Sequence, residues 1–261
     1  MNRPECSTYK DLPVYKVNFR PTSARATVRS NRWMLKVLLT VALAAVVTGV
    51  QSAQVPRVPP YELPPAAVQR LSDGLAVSRS QKSNVWRDTS PMNPDGTVNA
   101  YIEVPLGERR KYEFDIKANA RVVDRVMPET MGGYPVNYGF VPQTISWDGD
   151  PFDVLVLGPS IAGGTVNPGV IVGIMFMEDE KGLDSKVVVS PTRPGGQPRY
   201  PLMDADKKRI GDYFARYKQH EPGKFSRVPG WGSIPEGRAH VDATHAFFRE
   251  CRTVKGKCVL K

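Results

Sequence analysis

Cysteine is scarce in this sequence, with three in 261 residues, which excludes a small scaffold held together by dense disulfides. Apolar runs are short: the longest, residues 37–50, has 14, where a bilayer-spanning helix needs about 20. No GxxxxGK[ST] loop occurs, so nothing supports a P-loop cradle for a nucleotide. Acidic residues are in the minority, 26 Asp and Glu against 36 Lys and Arg, for a net charge of +10. With 41% hydrophobic and 24% charged residues, the composition excludes a collagen-like, wholly disordered or multi-span membrane protein. At about 100–200 residues per domain, the length suggests one compact domain with extensions.

A basic balance first suggests a nucleic-acid or membrane partner, and the location of the charge decides whether that suggestion holds. Residues 1–53 hold eight basic side chains (Arg3, Lys10, Lys16, Arg20, Arg25, Arg29, Arg32, Lys36) and two acidic ones (Glu5, Asp11), a net of +6. The rest of the chain carries 28 basic against 24 acidic, only +4. Arg29, Arg32 and Lys36 precede the apolar run 37–50, and Ser52-Ala53 follow it, the layout of a secretory signal. Residues 1–53 therefore read as an N-terminal leader, with Met34 as the expected start and 34–53 as a signal peptide cleaved after Ser52 or Ala53. Export to a periplasm is expected, with no stable membrane span after cleavage. An uncleaved anchor and a buried helix of a cytoplasmic protein are the competing readings. Residues 54–99 are rich in proline and polar residues and read as a linker or loose arm, with at most a short helix near 67–71 and no chemistry. Cys251 and Cys258 could pair in an oxidising compartment and would be free thiols in a reducing one. No spacing resembles a zinc site.

From residue 100 the pattern changes. Tyr101-Ile102-Glu103-Val104 and Lys111-Tyr112-Glu113-Phe114-Asp115-Ile116 alternate with the period of strands. Short apolar runs follow at 152–157, 170–177 and 186–190, separated by Gly and Pro, and argue for a small closed sheet or barrel. Ile210, Tyr213, Phe214 and Tyr217 recur at helical spacing behind a cap at Asp204 or Asp206, and Val241, Thr244, Phe248 and Cys251 mark another helix. The expected fold is thus mainly β with flanking helices.

Asp148-Gly149-Asp150-Pro151-Phe152-Asp153 packs three carboxylates into six residues, and like charges so close need cations or hydrogen bonds to compensate them. A solvated acidic turn is the plain alternative, but this turn runs straight into the apolar strand 154–157. It is not an EF-hand, because the sixth loop position would be Asp153 rather than Gly and the twelfth Pro159 rather than Glu. A second set, Glu178-Asp179-Glu180 with Asp184, is followed by Lys186. Oxygen ligands without a His or Cys cluster select hard cations such as Mg²⁺ or Mn²⁺. Lys111, Arg125, Tyr134, Tyr138, Lys186, Tyr217 and Lys218 lie among the acids, and such groups hold phosphate oxygens. Together they make the parts for transfer of a phosphoryl group to water.

These motifs resemble the soluble family I inorganic pyrophosphatases. The resemblance runs through Tyr134-Pro135-Val136-Asn137-Tyr138-Gly139-Phe140-Val141-Pro142, the Asp148–Val156 segment, Met177–Lys186 and Phe214-Ala215-Arg216-Tyr217-Lys218. It covers about residues 100–250 and makes 100–261 the pyrophosphatase domain. It implies a five-stranded, OB-like closed barrel that hydrolyses diphosphate with Mg²⁺, Mn²⁺ or another divalent cation being possible. It further implies that Asp148, Asp153 and Asp184 are the principal metal ligands, with Asp179 and Glu103 serving additional ions. Asp150 corresponds to the residue that takes the proton from the attacking water. Lys111, Arg125, Tyr138, Tyr217 and Lys218 correspond to the positions that hold the phosphoryl groups, and Glu113, Tyr134 and Lys186 to their support. A homo-oligomer is expected.

Two features depart from the family. The segment 168–173 is several residues shorter than in many bacterial members and lacks an Arg often found before Gly173, which bears on strand length and subunit contacts. The leader is the other, since most relatives are cytoplasmic. Two further functions compete: a hydrolase of other phosphoanhydrides, such as polyphosphate or nucleotides, and a non-catalytic OB-type module for nucleic acid. A mildly basic domain whose mark is clustered carboxylates argues against a nucleic-acid partner.

Overall fold

In the computed structural model, residues 65–253 apart from Trp147 are described. The leader 1–53, the signal segment within it, and Cys258 lie outside the described residues.

Strand β1 (Val98–Val104) is buried along its whole length. It pairs antiparallel with β4 (Asn137–Phe140), which pairs antiparallel with β5 (Asp153–Val156). Strand β5 runs parallel to β8 (Lys186–Ser190), and β8 lies antiparallel to β6 (Val166–Asp179). Strand β6 returns to β1 through Val98↔Gly169 and Tyr101↔Val166, so the five pairings form a circuit. The far half of β6 also carries β7 (Gly182–Leu183) and β9 (Ser226–Gly232). A separate hairpin joins β2 (Arg110–Asp115) to β3 (Ala120–Val126). The fold is mainly β with a few helices. Strand β6 is longer than the apolar run 170–177 indicated, because its first residues, Val166-Asn167-Pro168-Gly169, pair with β1 although Asn, Pro and Gly there break the strand pattern.

Strands β5 and β8 read as unbroken apolar runs because both of their faces are covered. Val154, Val156, Val187 and Val189 enter one cluster with Ile102, Ile174 and Val241. Leu155 and Val188, pointing the other way, pack with Met175, Ile210 and Phe214. Helix α3 (Asp204–Arg216) supplies Ile210 and Phe214, and helix α4 (Ile234–Thr253) supplies Val241. Met203, rather than either aspartate, occupies the cap position of α3, and its N–H donates to Asp206 Oδ2 at 3.4 Å. Tyr217 caps the other end of that helix.

The arm is not loose from residue 65 onward. Helix α1 (Pro65–Ser80) and the single turn α2 (Val85–Asp88) precede β1. Leu71 and Leu75, one helical turn apart, are 2% exposed, and Trp86 is fully buried. They join Phe114, Phe140 and Phe248 in a third cluster. Of the prolines that suggested a linker, Pro65 stands at the start of the helix, where it costs no hydrogen bond. Among the described residues, no helix is long and apolar enough to cross a membrane.

Candidate active site

Parallel pairing in the register Val154↔Val187 brings the residues just before them, Asp153 and Lys186, side by side at one end of the sheet. By strand alternation both side chains share the face of Leu155 and Val188, beneath α3. Lys186 Nζ lies 2.5 Å from Asp153 Oδ2 and 2.8 Å from Asp184 Oδ1, and 5.7 Å from the ring centroids of both Tyr138 and Phe214. Burial alone would pull its pKa down, but the two carboxylates outweigh burial and hold the ammonium charged. Just past the end of α3, Lys218 Nζ lies 2.5 Å from Asp179 Oδ2 and 2.9 Å from Glu180 Oε1.

The glycines and the asparagine of the motifs have local reasons. A Cβ on Gly139 would stand 1.8 Å from the Tyr101 carbonyl oxygen, so the β1–β4 contact admits only glycine. Gly149 takes φ 88°, which lets the acidic chain turn back on itself. The Asn137 amide donates to the Val156 and Pro159 carbonyls, and its oxygen accepts from the Leu106 and Ile161 N–H groups. Asn137 thereby ties β4 to the end of β5 and to two loops, with its amide oxygen and nitrogen both satisfied.

These elements enclose a cavity of about 120 Å³. Seven carboxylates line it (Glu103, Glu113, Asp148, Asp150, Asp153, Asp179, Asp184) against four lysines (Lys111, Lys181, Lys186, Lys218), with Tyr138 and Tyr217 in the wall. The excess of negative charge is visible in the titration of individual groups. Burial, and then Asp153, push Glu103 well above the carboxylate range, although its Oε1 accepts from the Phe114 N–H at 2.7 Å. Burial raises Asp153 to about 7 despite Lys186, with Asp184 adding to the rise. Asp150 is also raised to about 7, by removal from bulk water and by Asp148, with Lys181 and Arg70 opposing. Its side chain is nonetheless 54% exposed, which places it at the cavity mouth. Excess carboxylate offering only hard oxygen donors fits a divalent cation. Among the described residues, no three His, Cys, Asp or Glu side chains stand together as a ready-made cage.

Twelve of the fourteen residues singled out in the sequence line this one cavity; Arg125 and Tyr134 do not. Both stand behind Tyr217. The Tyr134 and Tyr217 hydroxyls are 2.9 Å apart, and the Arg125 guanidinium lies over the Tyr217 ring, 5.1 Å from its centroid. Arg125 Nη1 is held 2.9 Å from Glu221 Oε1. Lys111 bonds to Glu113 and lies 3.3 Å from Asp124. Sequence reasoning missed Ser146 and Lys181 in the wall, Asp124 and Glu221 behind it, and Arg70 at the mouth. Their residue types are common on any surface, and only Lys181 lies within a quoted motif, beside its acids.

A cavity rich in carboxylates and walled by lysines and phenols defines a hydrolase site for a small polyanion. The family model for inorganic pyrophosphatase matches residues 100–249. An inorganic pyrophosphatase of Saccharolobus solfataricus is 40% identical over 152 residues, which cover 55% of this chain and 87% of that protein. One from Rickettsia prowazekii is 43% identical over 144 residues, 52% of this chain and 83% of the relative. Among solved structures, inorganic pyrophosphatases from Coxiella burnetii and Thermus thermophilus superpose with TM-scores of 0.57 and 0.59 at 37% and 34% identity. They cover 61% and 64% of this chain and 99% of each of those chains. The chain belongs to the inorganic pyrophosphatase family, hydrolases acting on diphosphate.

Proposed function

We propose that the cavity hydrolyses diphosphate to two phosphates by direct attack of water, with no covalent intermediate. The carrying observation is the convergence of seven carboxylates and four lysines on one small cavity in a member of this family. The family uses divalent metals, and Mg²⁺ fits the donor set, with Mn²⁺ or another divalent cation as a substitute. Asp148, Asp153 and Asp184 would hold it, with Asp179 and Glu103 serving further ions. When bound, the cation neutralises phosphate charge and acidifies the attacking water.

The chain's own groups do the rest. Asp150, open at the mouth and raised to about 7, accepts a proton from water near neutrality and can release it to solvent. Lys111, Lys218, Tyr138 and Tyr217 present ammonium and hydroxyl groups to phosphate oxygens as charge develops on them. Arg125 and Tyr134 set the Tyr217 ring and hydroxyl from behind. Lys186 and Glu113 hold Asp153 and Lys111 in place. The purified protein should release phosphate from diphosphate with Mg²⁺, and Asp150→Asn or Asp153→Asn should abolish release. No release under varied Mg²⁺ and Mn²⁺ would sink the proposal, while faster turnover of triphosphate or nucleotides would reassign the substrate.

The reading of the sheet as a five-stranded, OB-like closed barrel is supported by the pairing that returns from β6 to β1. A homo-oligomer remains our expectation, to be read from the mass in solution by light scattering. Export remains a proposal too, with residues 1–53 removed as a leader. It is supported by the signal-like segment and by Cys251, which is buried and disulfide-bonded. N-terminal sequencing of the natural protein decides it: a start near Ala53 or Gln54 means export, and retention of Met1 or Met34 rules it out.

A further inference from the structure

Helix α1 lies ahead of residues 100–249, the stretch that matches the family model, yet it reaches the mouth of the cavity. Arg70 Nη2 donates to the Asp148 carbonyl oxygen at 3.2 Å and stands 3.7 Å from Asp150 Oδ1. The turn it touches is held by short-range bonds. The Gly149 N–H donates to the Ser146 carbonyl at 3.0 Å, the Asp150 N–H to Asp148 Oδ1 at 3.1 Å, and the Ser146 N–H to the Asp150 carbonyl at 2.7 Å. Every one of these bonds stays within five residues and so closes the turn on itself; besides Arg70, Lys181 reaches it from outside, its Nζ 3.8 Å from Asp148 Oδ2 at the other side of the turn.

Arg70 comes from a firmly seated element. Leu71 and Leu75 are buried, and Gly74 approaches Ile116 so closely that a Cβ would lie 3.2 Å from Ile116 Cγ2. Past them, Gln81 Nε2 donates to the Lys117 carbonyl at 2.6 Å. A guanidinium carried on a docked helix is a stiffer brace than one on a loop, and here its Nη2 faces both acceptors at once.

We propose that Arg70 is a positioning residue for diphosphate hydrolysis, bracing the Asp148-Gly149-Asp150 turn through a carbonyl and a carboxylate. The segment ahead of the family's domain is thereby part of the active site. Arg70 and Asp150 are 57% and 54% exposed, and so open a pair contributes little to global stability. Its effect falls instead on the order of the turn and on the chemistry that needs both carboxylates in place. The activity part of this inference rests on the diphosphatase reading; the order of the turn does not.

The test compares Arg70→Met and Arg70→Lys with the unaltered protein as full chains. In Arg70→Met, amide hydrogen exchange at residues 146–150 should quicken while the thermal midpoint holds. Turnover at saturating Mg²⁺ should fall about tenfold, equivalent to about 1.4 kcal/mol, with KM for diphosphate little changed. Mn²⁺ binding measured by calorimetry without substrate should weaken. Arg70→Lys should recover part of each loss, since an ammonium keeps the charge and a donor but on a shorter side chain. Unchanged exchange in the turn, or unchanged turnover, overturns the proposal. Tighter Mn²⁺ binding in Arg70→Met also overturns it, because that is the result if Arg70 contributes charge alone. Should the unaltered protein fail to split diphosphate, the proposed function falls, while the exchange measurement still decides whether Arg70 holds the turn.

Discussion

Lys186 is 2% exposed and fully charged, a combination that survives only because two carboxylates meet it. Removing one partner of a buried ion pair is costlier than the pair is worth, since it strands the remaining charge. Lys186→Met should therefore destabilise the protein by about 3 kcal/mol in denaturant unfolding with chelator present, and should depress turnover as well. A loss below about 1 kcal/mol would show that Asp153 and Asp184 relax without it. His240 offers a pH experiment away from the acids. It is 6% exposed, its Nδ1 lies 2.9 Å from the Glu236 carbonyl oxygen, and burial lowers its pKa. Above about pH 6.5, the ordinary histidine value, both folded and unfolded states carry it neutral and it has no pH effect. As pH falls through that value the unfolded chain takes a proton the folded one resists, so stability is lost on the acid side. The stability difference between the parent and His240→Gln should accordingly change between pH 7 and 5 and be flat above; a flat difference throughout would refute the assignment.

At the scale of elements, α1 is the segment whose importance the sequence concealed. Its docking depends on Leu75, which fills space beside Trp86, Phe114 and Phe248. Leu75→Ala should cost about 2–5 kcal/mol and, by loosening α1, should reduce turnover too; an unchanged melting temperature would mean that the arm detaches freely. The sequence concealed α1 because, among its described side chains, Leu71 and Leu75 are the two apolar ones that are buried, in a stretch whose prolines and polar residues are typical of linkers. Strands β1 and β2 and helix α3 were legible for the opposite reason, since period-two alternation and the Ile210–Phe214 stripe are long enough to exceed chance, and β5, β6 and β8 showed as apolar runs; β3, β4, β7 and β9 carry neither signal and were not read. The cavity residues were legible because chemistry confines them to short acidic and tyrosine-rich motifs. Arg70, Asp124 and Glu221 were not, because a charge acquires meaning only from what folds beside it, and Arg70 meets the Asp148 carbonyl 78 residues further along the chain.

At the scale of the whole molecule, the basic excess and the acidic cavity are separate facts. The chain is +10 overall, with +6 of that in residues 1–53, while the site itself carries more acids than lysines. The parallel union of β5 and β8 has a further consequence, in the order of events during folding. Parallel neighbours cannot be joined by a tight hairpin, and Asp153 meets Lys186 across a separation of 33 positions in the chain. Such long-range closures are slow relative to local hairpins and helices. In a refolding experiment, helical signal should therefore return before hydrolysis of diphosphate, and activity should appear in the last kinetic phase together with protection of β5 and β8. Activity that returned as early as the helical signal would mean that this pairing forms at the outset. A chain with its helices already in place would still be catalytically silent, which makes enzymatic activity a reporter of sheet closure.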